Sequence, residues 1–456
     1  MAMFLVTTPS NPSGAVKPLS RSASELPRPV GARSWEAVSI SSGVSAAVAL
    51  TAAVGRRTGR SHAWRRCNPS DESTQIVSQR AASSQVQKDF FSACSLAGTW
   101  EKAIDEVVAA AGTGYESGFA FVSALYVDQA QGLPALTEML REKLGLEHLV
   151  VGVTTGGIGQ AAGTAAVDFS GGGAGEDWPP FEVESGPYLS IGLMQKAGAV
   201  PFFISKDAGG DTELVNRMAS DGVVRALLVL GDPFGPVEQI MTSLGETFPK
   251  AVMAGGITST MQVGHESQNQ FTPSMAICSA GNKARLLSEG VCGLMLTEME
   301  VHTIVCQGCR PAGPAVNITN VSGPVCTGIG GRPAKEAVML IFSSVNPETQ
   351  EKMKQCMTIG LGRQGENGSL IGDGDWLIRG ISQVTPNGGL VVGDGIQEGQ
   401  PMRFHVRDRE SAESDLDLMM NRYRLERSLI GGPEPVGCFL FTCNGRGEDL
   451  YSRRHV

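Results

Sequence analysis

The sequence predicts an α/β (α+β) protein of two domains, each a mixed β-sheet flanked by helices, behind a disordered N-terminal leader. Three observations carry this prediction. From Phe90 onward, apolar runs of strand length alternate with segments of helical periodicity. The chain has 456 residues, 41% hydrophobic and 18% charged, enough for two or three domains with a sizeable core. Residues 1–70 carry nine basic side chains and two acidic ones, which makes them +7 and the remainder −16 against a total of −9. The expected division is a leader over 1–66, a linker over 67–89, a first domain over 90–290 and a second over 291–456.

The leader is rich in Ser, Ala, Pro and Arg and poor in large apolar side chains, so it cannot bury enough surface to offset its chain entropy. An Arg- and Ser-rich, acid-poor N-terminus is the signature of an organellar transit peptide; the leader resembles those of plastid-directed proteins, with a mitochondrion and a plain disordered tail as the alternatives. The run Val38–Val54 is too short, and too rich in Ser, Thr and Gly, for a membrane span. The acidic remainder argues against a nucleic-acid partner, because that affinity rests on Lys and Arg neutralising phosphates.

The elements follow in order. Lys102–Ala111 reads as a helix, "GFAFVSALYV" as a strand, and "LPALTEMLREKL" as a helix with Pro134 in its first turn and Gly145 as its stop. "EHLVVGVTTGG" is a buried strand that runs into a Gly-rich turn, and "DFSGGGAGEDWPP" is a loop. A helix over Thr212–Ser220, the strand "RALLVLGDPFGP", a helix over Val237–Leu244 and the strand "KAVMAGGITS" come next. "TPSMAICSA", "GVCGLMLTE" and "VHTIVCQGC" lie close together, which favours antiparallel neighbours. Then come "AVNITNVSG" and helices over Ala334–Val345 and Pro347–Met357, followed by two strands around Asn387-Gly388. "MRFHVRD" alternates as a strand. Ser411–Leu429 is a helix with Leu416, Met420 and Tyr423 on one face, ended by Gly431-Gly432-Pro433, and "VGCFLFTCNGRG" closes the series.

The ten cysteines are scattered, several within apolar runs, which points to a reducing compartment without a disulfide framework. Cys306 and Cys309 form a CxxC with His302 upstream, but a zinc site needs four ligands and no second pair exists. On a strand, His302 and Cys309 would point oppositely. A thioredoxin-like pair would sit at a helix start, whereas Pro311, Gly313 and Pro314 are turn residues. Gly157, Gly159 and Gly163 are spaced GxGxxxG, not as a dinucleotide loop requires. Their alternatives are a plain tight turn or a cleft lined by Thr154, Thr155 and Gly156. No metal and no cofactor is expected.

The segments "QGCRPAGPAVNIT", "GGRPAKEAV", "IQEGQPMRFHVRDRESAESDL" and "FTCNGRG" come in that order over about 150 residues, and "VVGVTTGG", "LLVLGDPF" and "VMAGGITS" lie before them. Through the first four, and more loosely through the other three, the chain from about Ala103 to Gly447 resembles the FIST family, in which an N-terminal and a C-terminal FIST domain are joined. The resemblance implies a sensory, signal-transduction module for a small ligand, amino acids or their relatives, and does not by itself imply an enzyme. No Leu-Pro-rich F-box lies in residues 67–100, so an adaptor role in ubiquitin ligation is not supported. The chain stops nine residues after Gly447, where family members continue, and any pocket wall from that segment is expected to be absent or replaced.

The candidate ligand-binding residues are Thr154, Thr155, Gly156, Gly255, Gly256, Cys309, Arg310, Pro311, His405, Arg407, Asn444 and Arg446. Arg310 either forks a ligand carboxylate with two parallel hydrogen bonds or pairs with an acidic neighbour to fix the turn. His405 and Arg407 share one strand face, either toward a ligand or toward solvent. Asn444 and Arg446 follow a buried strand in a Gly-flanked loop, a common place for sites. Two other classes stay open: a thiol-dependent enzyme or redox protein using Cys309 or Cys443, and an interaction scaffold without a ligand.

Overall fold

The computed structural model describes residues 2–7, 46–51, 89–154, 158–160, 181–183, 186–207, 209–259, 261–263, 270–355, 357–362, 376–392, 396–431, 435–443 and 446–451. Thr155, Gly156, Asn444, the Gly432-Pro433 stop, Cys67, Cys356, most of the leader and the "DFSGGGAGEDWPP" loop lie outside these residues.

The first half is a four-layer sandwich of helices, sheet, sheet and helices. In the first sheet the strand order is Arg285–Leu287, Met275–Ser279, His148–Thr154, Ser117–Ser123, Leu189–Met194, Phe90–Ser95. In the second it is Val252–Ile257, Ala226–Gly231, Gly290–Leu296, Ala199–Ser205. Each central strand is covered on both faces, which is why it reads as an unbroken apolar run. Along Ser117–Ser123, Phe119 and Phe121 enter the core between the sheets, while Ala120 and Val122 enter the core under the helices Trp100–Ala111 and Leu133–Leu144. Along Ala226–Gly231, Leu228 and Leu230 face the shared core, and Leu227 and Val229 face the helices Thr212–Asp221 and Val237–Thr247.

The second half builds a nine-stranded sheet around Pro401–Arg407, covered by the helices Ala334–Ser344 and Pro347–Gln355. Met402, Phe404 and Val406 are buried in that core, so the alternation expected of "MRFHVRD" is present. The 290/291 boundary falls at the start of the strand Gly290–Leu296, which completes the second sheet of the first half. The chain also returns there at its end: Phe439 and Phe441 of the strand Pro435–Cys443 enter the core between the two sheets. Phe439 packs edge-on to Phe90 with ring centroids 5.3 Å apart. Gly437 leaves the Phe90 ring room that a Cβ would fill.

That returning strand belongs to a fourth sheet, ordered Glu300–Val305, Ala2–Thr7, Pro435–Cys443, Ala46–Thr51, Ile158–Gln160, Phe181–Val183. Two stretches of the expected leader are therefore strands. The long helix Arg409–Ile430 lies over this sheet, and Leu416, Met420 and Tyr423 pack on Ile304, Cys306 and Cys438, the face expected for them.

Three local expectations need correction. The strand at "GFAFVSALYV" ends at Ser123, and Ala124–Gln129 is a helix whose Tyr126 hydroxyl donates to the Ala97 carbonyl. "VHTIVCQGC" is not one strand: it stops at Val305, and Gly308 turns the chain at φ 61° before Cys309–Pro311 resumes, so alternation between His302 and Cys309 does not apply. The strands Met275–Ser279, Gly290–Leu296 and Glu300–Val305 each pair antiparallel with a neighbour, but in three different sheets and not with one another. Among the described residues, no helix is long and apolar enough to cross a membrane.

Candidate functional site

The Cys306-Gln307-Gly308 corner joins the fourth sheet to the nine-stranded sheet, and four other segments converge on it. These are the short strand Cys309–Pro311, the end of Pro401–Arg407, the start of the helix Arg409–Ile430, and the end of Pro435–Cys443 with Arg446 beyond it. Glycine is required at 308 for two reasons. Its φ of 61° is left-handed, and a Cβ there would strike the Arg446 guanidinium and Ala412. The corner is tied down where the Gly308 N–H donates to Asp415 Oδ2 at 2.7 Å.

Cross-strand register sorts the candidates onto two faces. Cys309 lies opposite Arg407, Arg310 opposite Val406, and Pro311 opposite His405. Paired residues share a face, so Cys309, Pro311, His405 and Arg407 stand together and Arg310 stands on the other side.

Arg310 takes the pairing role that the sequence left open. Its Nε donates to Asp408 Oδ2 at 2.8 Å, its Nη1 donates to Thr349, and Nη2 is 3.7 Å from Glu348. Lys352 Nζ donates to the same Asp408 oxygen at 2.8 Å. Asp408 also caps the helix Arg409–Ile430 by accepting from the Ser411 N–H at 2.8 Å. Burial alone would push the Asp408 carboxyl up, but hydrogen bonds from Lys352, Ser411 and Arg310 outweigh it and hold the group well below the usual carboxylate range. Asp408 was not among the candidates, although the Asp-x-x-Ser spacing at the start of a helical run is a capping signal legible in the sequence.

The opposite face holds Arg407. Its Nη1 donates to Cys443 Sγ at 3.7 Å, and its buried Nε has no partner among the described residues. Burial works against its charge, but the Cys309 and Cys443 sulfurs, both in hydrogen-bond contact with the guanidinium, outweigh it and raise the pKa. Arg446 is only 4% exposed. It donates from Nη2 to the Cys306 carbonyl at 3.2 Å and from Nη1 to the Tyr451 hydroxyl at 3.5 Å, and its buried Nε likewise has no partner among the described residues. Among the described residues, neither arginine has a carboxylate within ion-pair distance, whereas Arg310 has two.

His405 sits inside, against Trp376 and Gly360. Burial lowers its pKa, so the ring is neutral near pH 7, and Nδ1 must carry the proton it donates to the Arg403 carbonyl at 3.0 Å. It is buried in protein and does not lie on a solvated face.

The candidates from the first half lie elsewhere. Thr154 is buried, and its carbonyl accepts from the Tyr188 hydroxyl at 2.5 Å. Gly255 and Gly256 lie on the edge strand Val252–Ile257, where a Cβ at Gly255 would run into the Val229 carbonyl. That contact is a packing reason for glycine. Two surface concavities of about 490 and 290 Å³ open on this half, one at Gly210–Arg217 and one beside Ser279, Lys283 and Arg285, and neither shares a lining residue with the junction. Among the described residues, no group of three His, Cys, Asp or Glu side chains is placed to hold a metal ion.

Comparison with known proteins gives two matching domains: the FIST N domain over residues 116–332 and the FIST C domain over residues 337–455. The chain is 29% identical to an uncharacterized protein of Mycobacterium tuberculosis (strain CDC 1551 / Oshkosh) over 273 residues, 59% of this chain and 67% of the relative. It is 28% identical to an uncharacterized protein of Mycobacterium bovis over 274 residues, again 59% and 67%.

Proposed function

The chain belongs to the FIST family, carrying a FIST N domain followed by a FIST C domain, and on that premise we propose that it is a non-catalytic sensory protein that binds a small anionic ligand of the amino-acid kind. One observation carries the reading: Arg407 and Arg446 are two guanidinium groups at one junction, each with a buried, unpartnered Nε and no acidic partner among the described residues. Burying an unpaired charge is costly, and a ligand carboxylate would relieve that cost with paired, charge-assisted hydrogen bonds. The anion-holding role thus falls to Arg407 and Arg446, because Arg310 is already engaged by Asp408.

The test is a thermal-shift screen of amino acids and small organic acids, followed by calorimetry on the best binder. Arg407→Lys and Arg446→Lys keep the charge and lose the planar fork, so each should weaken binding by roughly ten- to hundredfold. Arg310→Lys should bind as the parent does. A screen without any stabilising anion, or affinity equal to the parent's in both junction variants, would sink this reading. For localisation we propose a plastid, on the Arg- and Ser-rich leader; a reporter fused to residues 1–66 that stays outside the organelle would refute it.

A further inference from the structure

The two thiols on Arg407 are not used by ligand binding, and, Cys94 apart, the other described cysteines are buried. Burial pushes the thiols of Cys94, Cys278 and Cys292 up, and those of Cys306 and Cys326 up to about 11, which keeps them protonated and inert. Cys309 and Cys443 are only half-buried. They reach Arg407 from different parts of the chain, one as its cross-strand partner and the other from the end of the returning strand. Their hydrogen-bond roles also differ: both sulfurs contact the Arg407 guanidinium, Cys443 Sγ accepting from Nη1 at 3.7 Å, but Cys309 Sγ also donates to the Gln307 carbonyl at 3.5 Å.

We propose that Cys443, Arg407 and Cys309 form a hydroperoxide-responsive thiol site, with Cys443 as the attacking sulfur and Cys309 as the resolving one. The thiolate is the form that reacts, and the Arg407 guanidinium donates to the Cys443 sulfur. The Cys443 thiolate attacks the terminal oxygen of a hydroperoxide. An S–O bond forms, the O–O bond breaks, and the leaving hydroxide or alkoxide takes up a proton. The sulfur is oxidised by two electrons to the sulfenic acid as the peroxide is reduced. The Cys309 sulfur, giving up its proton, then attacks the sulfenic sulfur. An S–S bond forms, the S–O bond breaks, and the hydroxyl leaves as water. Two thiols and one hydroperoxide give a disulfide, water and a second water or alcohol. A thiol reductant reverses the change.

The experiment uses the full chain and hydrogen peroxide, and needs no knowledge of the sensory ligand. After a brief exposure, free thiols are alkylated and peptides are mapped by mass spectrometry. The expected product is a Cys309–Cys443 disulfide that a dithiol reductant removes. Cys309→Ser should stop at a Cys443 sulfenic acid trapped by a cyclic 1,3-diketone, and Cys443→Ser should leave Cys309 reduced. Arg407→Gln should slow alkylation of Cys443 at pH 7 by roughly tenfold, and Arg407→Lys should restore most of the rate. The proposal is overturned if Cys443 in the parent alkylates no faster than Cys326, or if peroxide yields no linkage between the two. Ligand affinity in unoxidised protein is a separate readout, so failure here leaves the sensory reading standing, and the reverse.

Discussion

Asp408 concentrates several duties in one carboxylate. It receives Arg310, Lys352 and the first turn of a helix. Asp408→Asn keeps the shape but loses the charge that two cations share, and should cost roughly 2–3 kcal/mol of stability by chemical denaturation. The pH dependence follows from the direction of its shift. Its folded value lies below the unfolded value of about 4, so the stabilisation is full above the unfolded value and is lost progressively as pH falls from there through the folded value. The gap between parent and Asp408→Asn at pH 7 should therefore narrow progressively below about pH 4 and close only once the pH falls below the folded value. The residue types at the junction were readable in the sequence, but their partners were not. "CRP" and "FHVRD" announce two arginines each a residue from Cys or Asp, and nothing local says that Arg310 will find Asp408 across 98 positions while Arg407 finds sulfur. Facing was half-legible: alternation correctly placed His405 with Arg407, but whether that face meets solvent or protein depends on Trp376 and Gly360, which no spacing reveals.

At the scale of elements, the continuous apolar runs were legible because burial on both faces leaves no polar position in a strand. The miss at Ala124–Gln129 has a physical reason: "ALYV" continues the apolar run, and only the tertiary bond from Tyr126 to Ala97 shows that the strand has already ended. The harder case is Ala2–Thr7 and Ala46–Thr51, short apolar stretches inside a segment whose composition reads as leader. Ala2–Thr7 pairs with Glu300–Val305 on one side and Pro435–Cys443 on the other, so removing it would bare two edges at once. Deleting residues 1–51 is expected to lower the melting temperature. An unchanged temperature would instead assign the whole stretch to a removable leader and leave those edges to close on each other.

Over the whole molecule, one late strand helps to join the two halves. Phe439 and Phe441 complete a core whose other members span Phe90 to Val301, and Cys443 brings the same strand to the junction at Arg407. This connection was not legible in the sequence, since "VGCFLFTC" fits a strand in either half equally well. Its consequence concerns the order of synthesis. A ribosome builds the first half long before it builds residue 439, so the nascent chain must carry an incomplete inter-sheet core, open along the side that Phe439 will occupy, for the time needed to translate more than a hundred residues. Translation-arrested chains that end before Pro435 should be cut by protease within the first half, whereas chains arrested far enough beyond Cys443 for that residue to clear the exit tunnel should resist. Equal resistance in both would mean that the first half closes without its last strand. Until that strand arrives, the aromatic faces of Phe90 and Phe119 remain exposed to chaperones.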